Sequence, residues 1–329
     1  MALQRGVPLE ERPFAALGAA CGLSEEAVLA LVRRLMASGQ ARRFGAVFDA
    51  RRLGYRSALC AMRVPRARLA EVAAKVTPVR GITHAYERGW PEALPADLPG
   101  GPAGRDWPNL WFTLAAPAAD FCAELEALRG ACQPYAIHEL PALRRFKIDV
   151  VFDVRTRDRD ERVEPRRPAE QAGTVALDEA QKALVRLLEG DLPLGGRFFG
   201  PLAAQAGMSE EALLGQLRAW QASGVLRRVG LLLRHREIGF KANGMCCWDL
   251  PEAEVLEAGR RVAAFPEVTH CYERPKMDVF PFRLYAMIHT PTWEGTQRLF
   301  ERITREAGLT GGQLMLSVTE FKKTSMQFF

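Results

Sequence analysis

The sequence lacks any apolar run long enough to span a membrane. None of its apolar stretches reaches the roughly 18 consecutive residues that a spanning helix needs, although apolar residues make up 48% of the 329-residue chain. The start, MALQRGVPLEERPF, has neither the basic nor the apolar segment of a signal peptide. We therefore expect a globular cytoplasmic protein, without a membrane partner, that contains two or more packed cores.

Paired cysteine motifs are absent as well. The chain has seven cysteines, an odd number, and none forms a CxxC pair or lies near a histidine at zinc-finger spacing. These absences argue against structural zinc and against disulfides. Cys246, Cys247 and Cys271 are interpreted as small buried apolar side chains.

Charge leaves the class of partner open. Basic residues outnumber acidic ones, 45 to 39, which gives a formal net charge of +6. Such a surplus favours anionic partners, which could be nucleic acid, an anionic lipid surface or a small polycarboxylate. The choice among these depends on motifs.

The chain contains one unit written twice. The run GLSEEAVLALVRRLMASGQARRFGAVFDARRLGY from Gly22 reappears as GMSEEALLGQLRAWQASGVLRRVGLLLRHREIGF from Gly207. THAYERGWP from Thr83 reappears as THCYERPKM from Thr269. Further along, NLWFTLAAP of the first copy corresponds to RLYAMIHTP of the second, and RRFKIDVVF corresponds to TEFKKTSMQFF. The matching strings come in the same order in both copies. A repeat of this length predicts two structurally similar halves.

Each half begins with short helical segments and continues as an α+β unit. Ser209 is a candidate N-cap, Gly224 ends the helix, and RRVGLLLR is typical of the wing strand of a winged helix-turn-helix. After Gly239 the pattern is βαββαβ, which indicates a ferredoxin-like fold with one sheet face free for a partner. The two free faces are expected to pack together as an intramolecular pseudo-dimer. Further homo-oligomerisation stays open.

These patterns set the domain boundaries. The charged, proline-containing stretch between the repeats has little to bury and predicts a linker. The first winged unit lacks most of its opening helix, because Met1 aligns with Arg186 of the second copy. The predicted divisions are a truncated winged unit (1–55), a ferredoxin-like domain (56–152), the linker (153–173), a complete winged unit (174–238) and a second ferredoxin-like domain (239–329).

The duplicated THxYER strings, NLWFTL, MIHT and TEFKK resemble those of the sirohaem decarboxylases, a branch of the leucine-responsive regulator (Lrp/AsnC) family. The two copies resemble the two different subunits of that enzyme, here fused. The resemblance implies a carboxy-lyase that removes two acetate carboxyls from sirohaem as CO2, giving didecarboxysirohaem for haem d1 or alternative haem biosynthesis. It implies no organic cofactor, since the iron belongs to the substrate. Arg283 departs from the asparagine expected by analogy with Asn109.

Two other functions are weighed against this one, a DNA-binding regulator and a haem sensor without activity. DNA binding needs cations on the recognition helix. Both candidate helices instead begin with Ser-Glu-Glu, and one winged unit is truncated, so we expect no DNA partner. A sensor would bind the tetrapyrrole without changing it.

The second copy has the fuller set of ionisable groups for catalysis. Strand alternation places His270, Tyr272 and Arg274 on one face. We expect His270 to be the acid that reprotonates the carbon left by CO2, because an unperturbed histidine has a pKa near 6.5. Tyr272 is expected to assist, and Arg274 to hold a carboxylate that is retained. The first copy is expected to supply shape and charge.

A polycarboxylate needs compensating cations. Besides Arg234, Arg236 and Lys323, the expected substrate-binding residues are Arg42, Arg43, His84, Arg88, Arg227, Arg228, His235, Arg283, Tyr285, His289 and Lys322. His235 or His289 is the expected axial ligand of the substrate iron. We expect no metal held by the protein alone. The insertion from Gly89 is interpreted as either a lid or a loop without a role.

Overall fold

The computed structural model describes residues 2–90, 107–148, 173–234 and 236–329. The predicted linker, apart from Gly173, lies outside these residues. So do His235 and most of the glycine- and proline-rich insertion after Arg88.

Each half consists of a winged unit followed by a mixed helix and strand unit. The elements of the first half are α1 (Ala2–Arg5), α2 (Pro13–Cys21), α3 (Glu25–Ala37), β1 (Ala41–Phe48), β2 (Tyr55–Met62), α4 (Leu69–Val76), β3 (Ile82–Gly89), β4 (Leu110–Pro117), α5 (Phe121–Ala131), β5 (Ile137–Pro141) and β6 (Arg144–Ile148). Those of the second half are α6 (Glu179–Glu189), α7 (Phe199–Gln205), α8 (Glu210–Ala222), β7 (Leu226–Leu233), β8 (Ala242–Trp248), α9 (Glu252–Ala263), β9 (Val268–Glu273), β10 (Leu284–Thr290), α10 (Trp293–Glu306) and β11 (Gly312–Lys323).

The winged units form as their capping residues predict. The hydroxyl of Ser209 accepts a hydrogen bond from the Ala212 amide at 3.1 Å, and Gly224 follows α8 with a positive φ of 77°. The opening helix of the first copy, α1, has four residues, whereas α6 has 11. The two wing strands, β1 and β7, pair antiparallel, so the two units share one apolar core.

The acidic residues at the start of α3 and α8 form ion pairs. Glu25 pairs with Arg12, and Glu210 pairs with Arg197 at 2.7 Å. Both carboxylates are thus compensated by arginines and are largely buried. The absence of a DNA partner stays a prediction.

The sheets of the two copies form one continuous sheet, which the sequence did not predict. Nine strands lie in the order β5-β2-β4-β3-β11-β8-β10-β9-β6. The last strand of each copy pairs with the other copy, because β6 pairs with β9, and β11 pairs first with β8 of its own copy and then with β3. Only Ala142 and Leu143 separate the edge strands β5 and β6 in the chain, so the sheet curls back on itself.

Strand alternation sorts side chains between three cores. Leu284, Ala286 and Ile288 pack against the helices of their own copy, as predicted. A corresponding core lies under α4 and α5. A third core lies inside the curled sheet and contains Trp111, Phe280 and other apolar side chains. The motif residues lie on the same inner faces.

The described residues were compared with the requirements of a membrane-spanning helix and of a metal site. Within these ranges no single helix is long and apolar enough to cross a membrane, and α2 with α3 reaches the length only as a pair bent by 101°. The same ranges contain no group of three or more His, Cys, Asp or Glu side chains arranged to hold a metal ion. Cys246, Cys247 and Cys271 are fully buried, which confirms the interpretation as packing residues.

One glycine allows the exchanged strand β6 to pack on α9. A Cβ atom at Gly259 would overlap the ring of Phe146, which belongs to β6. We expect Gly259→Ala to lower the free energy of unfolding by about 1–3 kcal/mol through overpacking, measured by urea denaturation. The matched control is Gly215→Ala in α8, where a Cβ meets no atom within 4 Å. There alanine is expected to raise stability by about 0.5–1 kcal/mol. Equal effects at both sites would contradict the packing argument.

Candidate active site

The two THxYER motifs face each other across the interior. Three strands separate β3 from β9 in one direction along the sheet, and β4, β2 and the β5–β6 segment separate them in the other. Inner side chains of β3 and β9 therefore point toward one another. His84 and His270 lie close enough that the charge of His270 contributes to lowering the pKa of His84.

A threonine orients each motif histidine. Thr83 Oγ1 lies 2.8 Å from His84 Nδ1, and Thr269 Oγ1 lies 3.1 Å from His270 Nδ1. The Thr269 hydroxyl donates its hydrogen to the Met287 carbonyl at 3.2 Å, so it accepts from the Nδ1–H of His270. His270 Nε2 therefore carries the lone pair, and no other described residue hydrogen-bonds to it.

His289 belongs to a buried network behind His270. Its Nδ1 lies 3.3 Å from Thr269 Oγ1, and its Nε2 lies 2.9 Å from Asn243 Nδ2. Both ring nitrogens are therefore engaged, and ligation of the substrate iron by His289 stays a prediction that requires one of these hydrogen bonds to break. Ala115 takes the place of His289 in the first copy, so only His270 has this support. The other candidate ligand, His235, lies outside the described residues.

Burial changes the acidity of both motif histidines. Loss of hydration lowers the pKa of His270 to about 4, and the positive charges of Arg227 and Arg274 contribute to this shift. Loss of hydration likewise lowers the pKa of His84 to about 3, with Lys323 and other cations contributing. In the ligand-free protein His270 is therefore neutral at pH 7. The expectation that it donates a proton with an ordinary pKa is wrong for that state.

These shifts make stability depend on pH. Below about pH 6.5 the unfolded chain protonates both imidazoles, whereas the folded chain does so only near the lowered pKa values of about 4 and 3. The unfolded state then binds more protons, so the free energy of unfolding falls as pH falls through this window. The expected slope is about 1.4 kcal/mol per pH unit for each histidine.

Urea denaturation between pH 7.5 and 5.5 tests this dependence. A His84→Gln/His270→Gln double variant, which has no imidazole at either position, is the control and is expected to lose most of the slope. A double variant with the same pH dependence as the wild type would show that other groups cause it.

Two buried arginines lie beside the motif tyrosines. Arg88 is 6% exposed, and its guanidinium donates to Asn243 Oδ1 at 3.4 Å and lies 5.3 Å from the centre of the Tyr86 ring. Arg274 donates to the Leu140 carbonyl and lies 4.9 Å from the centre of the Tyr272 ring. Neither has a carboxylate partner among the described residues. Burial lowers the pKa of Arg88 to about 10, which expresses the cost of this unpaired charge.

A cationic cluster lies on the first-copy side of the interior. We call Arg42, Arg234, Arg236 and Lys323 the first-side cluster. No carboxylate within the described ranges forms an ion pair with any of its three arginines, and Nε of Arg42 and of Arg236 is buried without a hydrogen-bond partner there. Burial lowers the pKa of Lys323 to about 8, and the positive charges of the three arginines contribute to this shift. Such a cluster favours a bound anion.

The opposite side has a similar set of cations but also contains an aspartate. We call Arg51, Arg145, Arg227 and Asp49 the second-side cluster. Asp49 Oδ2 pairs with Arg227 at 2.7 Å and with Arg145 at 3.7 Å, and its Oδ1 accepts from the Arg51 amide at 3.1 Å. The neighbouring guanidiniums hold the pKa of Asp49 below its ordinary value despite partial burial. Arg227 is thus near His270, but its charge is compensated.

Several predicted substrate-binding residues lie elsewhere. Lys322 donates to the carbonyls of Thr77 and Val79 at 2.7 and 3.0 Å, on the helix side of the sheet. Arg43 donates to the carbonyls of Glu189 and Ala46, within the winged units.

Three further residues predicted to bind substrate have other surroundings in the structure. Arg283 pairs with Glu252 at 3.5 Å, away from the motif histidines. Tyr285 packs among apolar side chains inside the curled sheet, opposite Tyr272 in the strand register and with the Arg274 guanidinium 5.8 Å from the centre of its ring. Arg228 follows Arg227 in β7 and therefore points to the opposite face of that strand.

Sequence reasoning also missed site residues. Asp49, Arg51 and Arg145 were not selected, nor was Asn243, whose Oδ1 accepts from Arg88 and from Ser317 Oγ. The repeat contained one signal, since Asp49 aligns with Arg234 and so marks a reversal of charge between the copies.

A small cavity lies beside Arg88. It has a volume of about 120 Å³ and is lined by residues that include Trp90, Trp107, Asn109 and Gln313. Neither motif histidine lines it, and it is smaller than the roughly 300–1,000 Å³ of ordinary ligand pockets.

Comparisons with known proteins identify relatives over almost the whole chain. Residues 1–42 and 181–227 match the family model described as Siroheme decarboxylase NirDL-like HTH domain. Residues 52–147 and 237–322 match the model described as AsnC-like ligand binding domain. The siroheme decarboxylase of Hydrogenobacter thermophilus is 35% identical over 99% of this chain and 92% of its own length.

Two solved structures are also similar to this chain. A crystal structure of the siroheme decarboxylase NirDL gives a TM-score of 0.72 at 32% identity, covering 99% of this chain and 92% of that one. A crystal structure of NirDL in co-complex with an iron-uroporphyrin III analogue gives a TM-score of 0.71 at 31% identity, with the same coverage.

Proposed function

We propose that this chain, which belongs to the sirohaem decarboxylase family, removes two acetate carboxyls from sirohaem as CO2 and leaves methyl groups. The proposed enzyme is a carboxy-lyase of the cytoplasm that serves haem d1 or alternative haem biosynthesis. Two related findings support a tetrapyrrole ligand. The family relatives are named for sirohaem, and one similar structure contains an iron-uroporphyrin III analogue.

The observation that carries the proposal is the first-side cluster beside two facing histidines. Sirohaem is a flat ring with many carboxylates at its edge, and bidentate arginine contacts are the strongest way to hold them. Arg42, Arg234 and Arg236 have no carboxylate partner within the described ranges. Arg88 adds a buried cation, whose charge acts on His84. The bound carboxylates supply the negative charge that these side chains lack.

The chemical step needs an electron sink and a proton. The bond between the acetate methylene and its carboxylate breaks, CO2 leaves, and the electron pair stays on the methylene carbon, conjugated with the macrocycle. That carbon then takes up one proton and becomes a methyl group. The macrocycle supplies the electron sink, so no organic cofactor is required, and the protein supplies orientation, charge and the proton.

His270 is the proposed proton donor, with Tyr272 assisting and Arg274 holding a retained carboxylate. The lowered pKa of His270 describes the ligand-free protein, in which the charged groups that act on its imidazole ring are the cations Arg227 and Arg274. Substrate carboxylates bring negative charge next to it and raise its pKa. The substrate therefore loads the acid that later protonates it.

Binding is consequently expected to take up protons. Mixing the protein with iron-uroporphyrin III at pH 6.5 in weak buffer should take up about one proton per ring bound, read from a pH indicator dye. His270→Gln is the matched control, and its proton uptake is expected to be much smaller at similar affinity. Unchanged uptake in His270→Gln would assign the proton to another group.

The function itself is tested by anaerobic incubation with sirohaem followed by mass spectrometry. Two successive losses of one CO2 each are expected. Binding of sirohaem without any mass loss would indicate a sensor, and the absence of binding would remove the proposal. Protein heated until unfolded serves as the control for spontaneous decarboxylation.

A further inference from the structure

The two sides of the interior are related by the repeat but differ in charge. Arg42 of the first side corresponds to Arg227 of the second, and Arg236 corresponds to Arg51. At two positions the charge is reversed, because Arg234 on the first side corresponds to Asp49 on the second, and Glu320 on the first side corresponds to Arg145 on the second. The two carboxylates differ in their contacts: Asp49 forms ion pairs with arginines of its own side, whereas the three arginines of the first side have no ion-paired carboxylate within the described ranges.

The contacts of Asp49 show how compensation works. Its side chain is 13% exposed, and it lies between the guanidiniums of Arg227 and Arg145. A carboxylate from a ligand would have to displace Asp49 from these partners and then lie beside its charge, which is unfavourable in a partly buried site. The acidic neighbour of the first side, Glu320, is exposed and forms no ion pair with a described residue.

We infer that Asp49 determines the orientation of the bound ring, by pairing with the cations of the second-side cluster so that ligand carboxylates bind to the first-side cluster in preference to the second-side cluster. This inference rests on the proposed function. The interior has approximate two-fold symmetry, so without Asp49 a ring could bind with its carboxylates toward either side. With Asp49 one direction is preferred, and in it the same edge of the substrate faces His270.

Binding of iron-uroporphyrin III, followed by absorbance titration, tests the inference through rescue. Arg236→Gln is expected to weaken binding at least about tenfold, because a charged hydrogen bond contributes roughly 1.5–3 kcal/mol. Asp49→Asn/Arg236→Gln is expected to recover affinity to within about threefold of the wild type, because Arg227 and Arg145 become available. Adding Arg145→Gln should then remove the recovery. The amide introduced by Asp49→Asn retains an oxygen that accepts from the Arg51 amide, which preserves the turn.

A second variant does not depend on a partly buried position. Arg234 is exposed, so Arg234→Asp is expected to fold normally and to compensate the first-side cluster as Asp49 compensates the second. It should weaken binding of the probe at least about tenfold. Adding Asp49→Arg should restore it with dependence on Arg145.

The outcomes separate the inference from the function. Failure of Asp49→Asn to rescue Arg236→Gln, or wild-type affinity in Arg234→Asp, overturns the inference while the function stands. A wild-type protein that does not bind the probe overturns both.

Discussion

Arg88→Met is expected to stabilise the ligand-free protein and to weaken tetrapyrrole binding at least about tenfold. The guanidinium is buried, and its polar contacts are a 3.4 Å hydrogen bond to Asn243 and a 3.8 Å contact with Met287 Sδ. Replacing buried charges with apolar side chains of similar volume often stabilises a protein by about 1–4 kcal/mol. Asn243 Oδ1 would still accept from Ser317 Oγ at 3.1 Å.

Two measurements on one variant distinguish the two effects. Urea denaturation gives the change in stability, and titration with iron-uroporphyrin III gives the loss of affinity, expected to exceed about tenfold. The control is Arg260→Met on α9, where the side chain is 66% exposed and neither quantity should change much. A destabilised Arg88→Met that binds the probe like the wild type would show that Arg88 has a structural role instead.

His270→Ala is expected to abolish decarboxylation, whereas His84→Ala leaves substantial activity. Loss of a positioned acid typically costs about 100- to 10,000-fold in rate. Only His270 is supported by the Thr269 hydroxyl together with His289 and Asn243. Its counterpart His84 contacts Thr83 and lies near cations that are proposed to bind the substrate.

Single-turnover CO2 release under anaerobic conditions gives the rates for this comparison, and probe titration shows whether each variant still binds. A large fall in rate with unchanged affinity is the expected signature for His270. If His84→Ala is the inactive variant and His270→Ala is not, the roles of the two copies must be exchanged.

Much of the fold could be predicted from the sequence because the repeat presents each pattern twice. Period-two alternation placed Leu284, Ala286 and Ile288 against the helices correctly, and Ser209 and Gly224 marked the ends of α8. The exchange of β6 and β11 was not readable, because alternation fixes which face a residue takes and leaves open which copy supplies the neighbouring strand. The packing of Phe146 on Gly259 depends on contact between the two halves.

The candidate site could be predicted from the sequence only in part. The THxYER strings identified the facing strands, but no sequence pattern gives the burial that lowers the histidine pKa values. Two of the predicted cations, Arg43 and Arg228, lie on the other face of their strand for a common reason. Neighbouring residues in a strand point to opposite faces, so selecting both Arg42 and Arg43, or both Arg227 and Arg228, had to include one residue of each pair that points away.

The exchange of terminal strands also determines how the molecule comes apart. A half lacking its counterpart would expose the hydrogen-bonding edge of β3 or β9, the strands that bear the motif histidines, and unpaired edges invite self-association. The halves should therefore melt together in a single transition, and two separately expressed halves should be soluble only when synthesised side by side. Fusion in one chain fixes the ratio of the two halves at one to one, so β3 and β9 each have a pairing strand available in the same molecule.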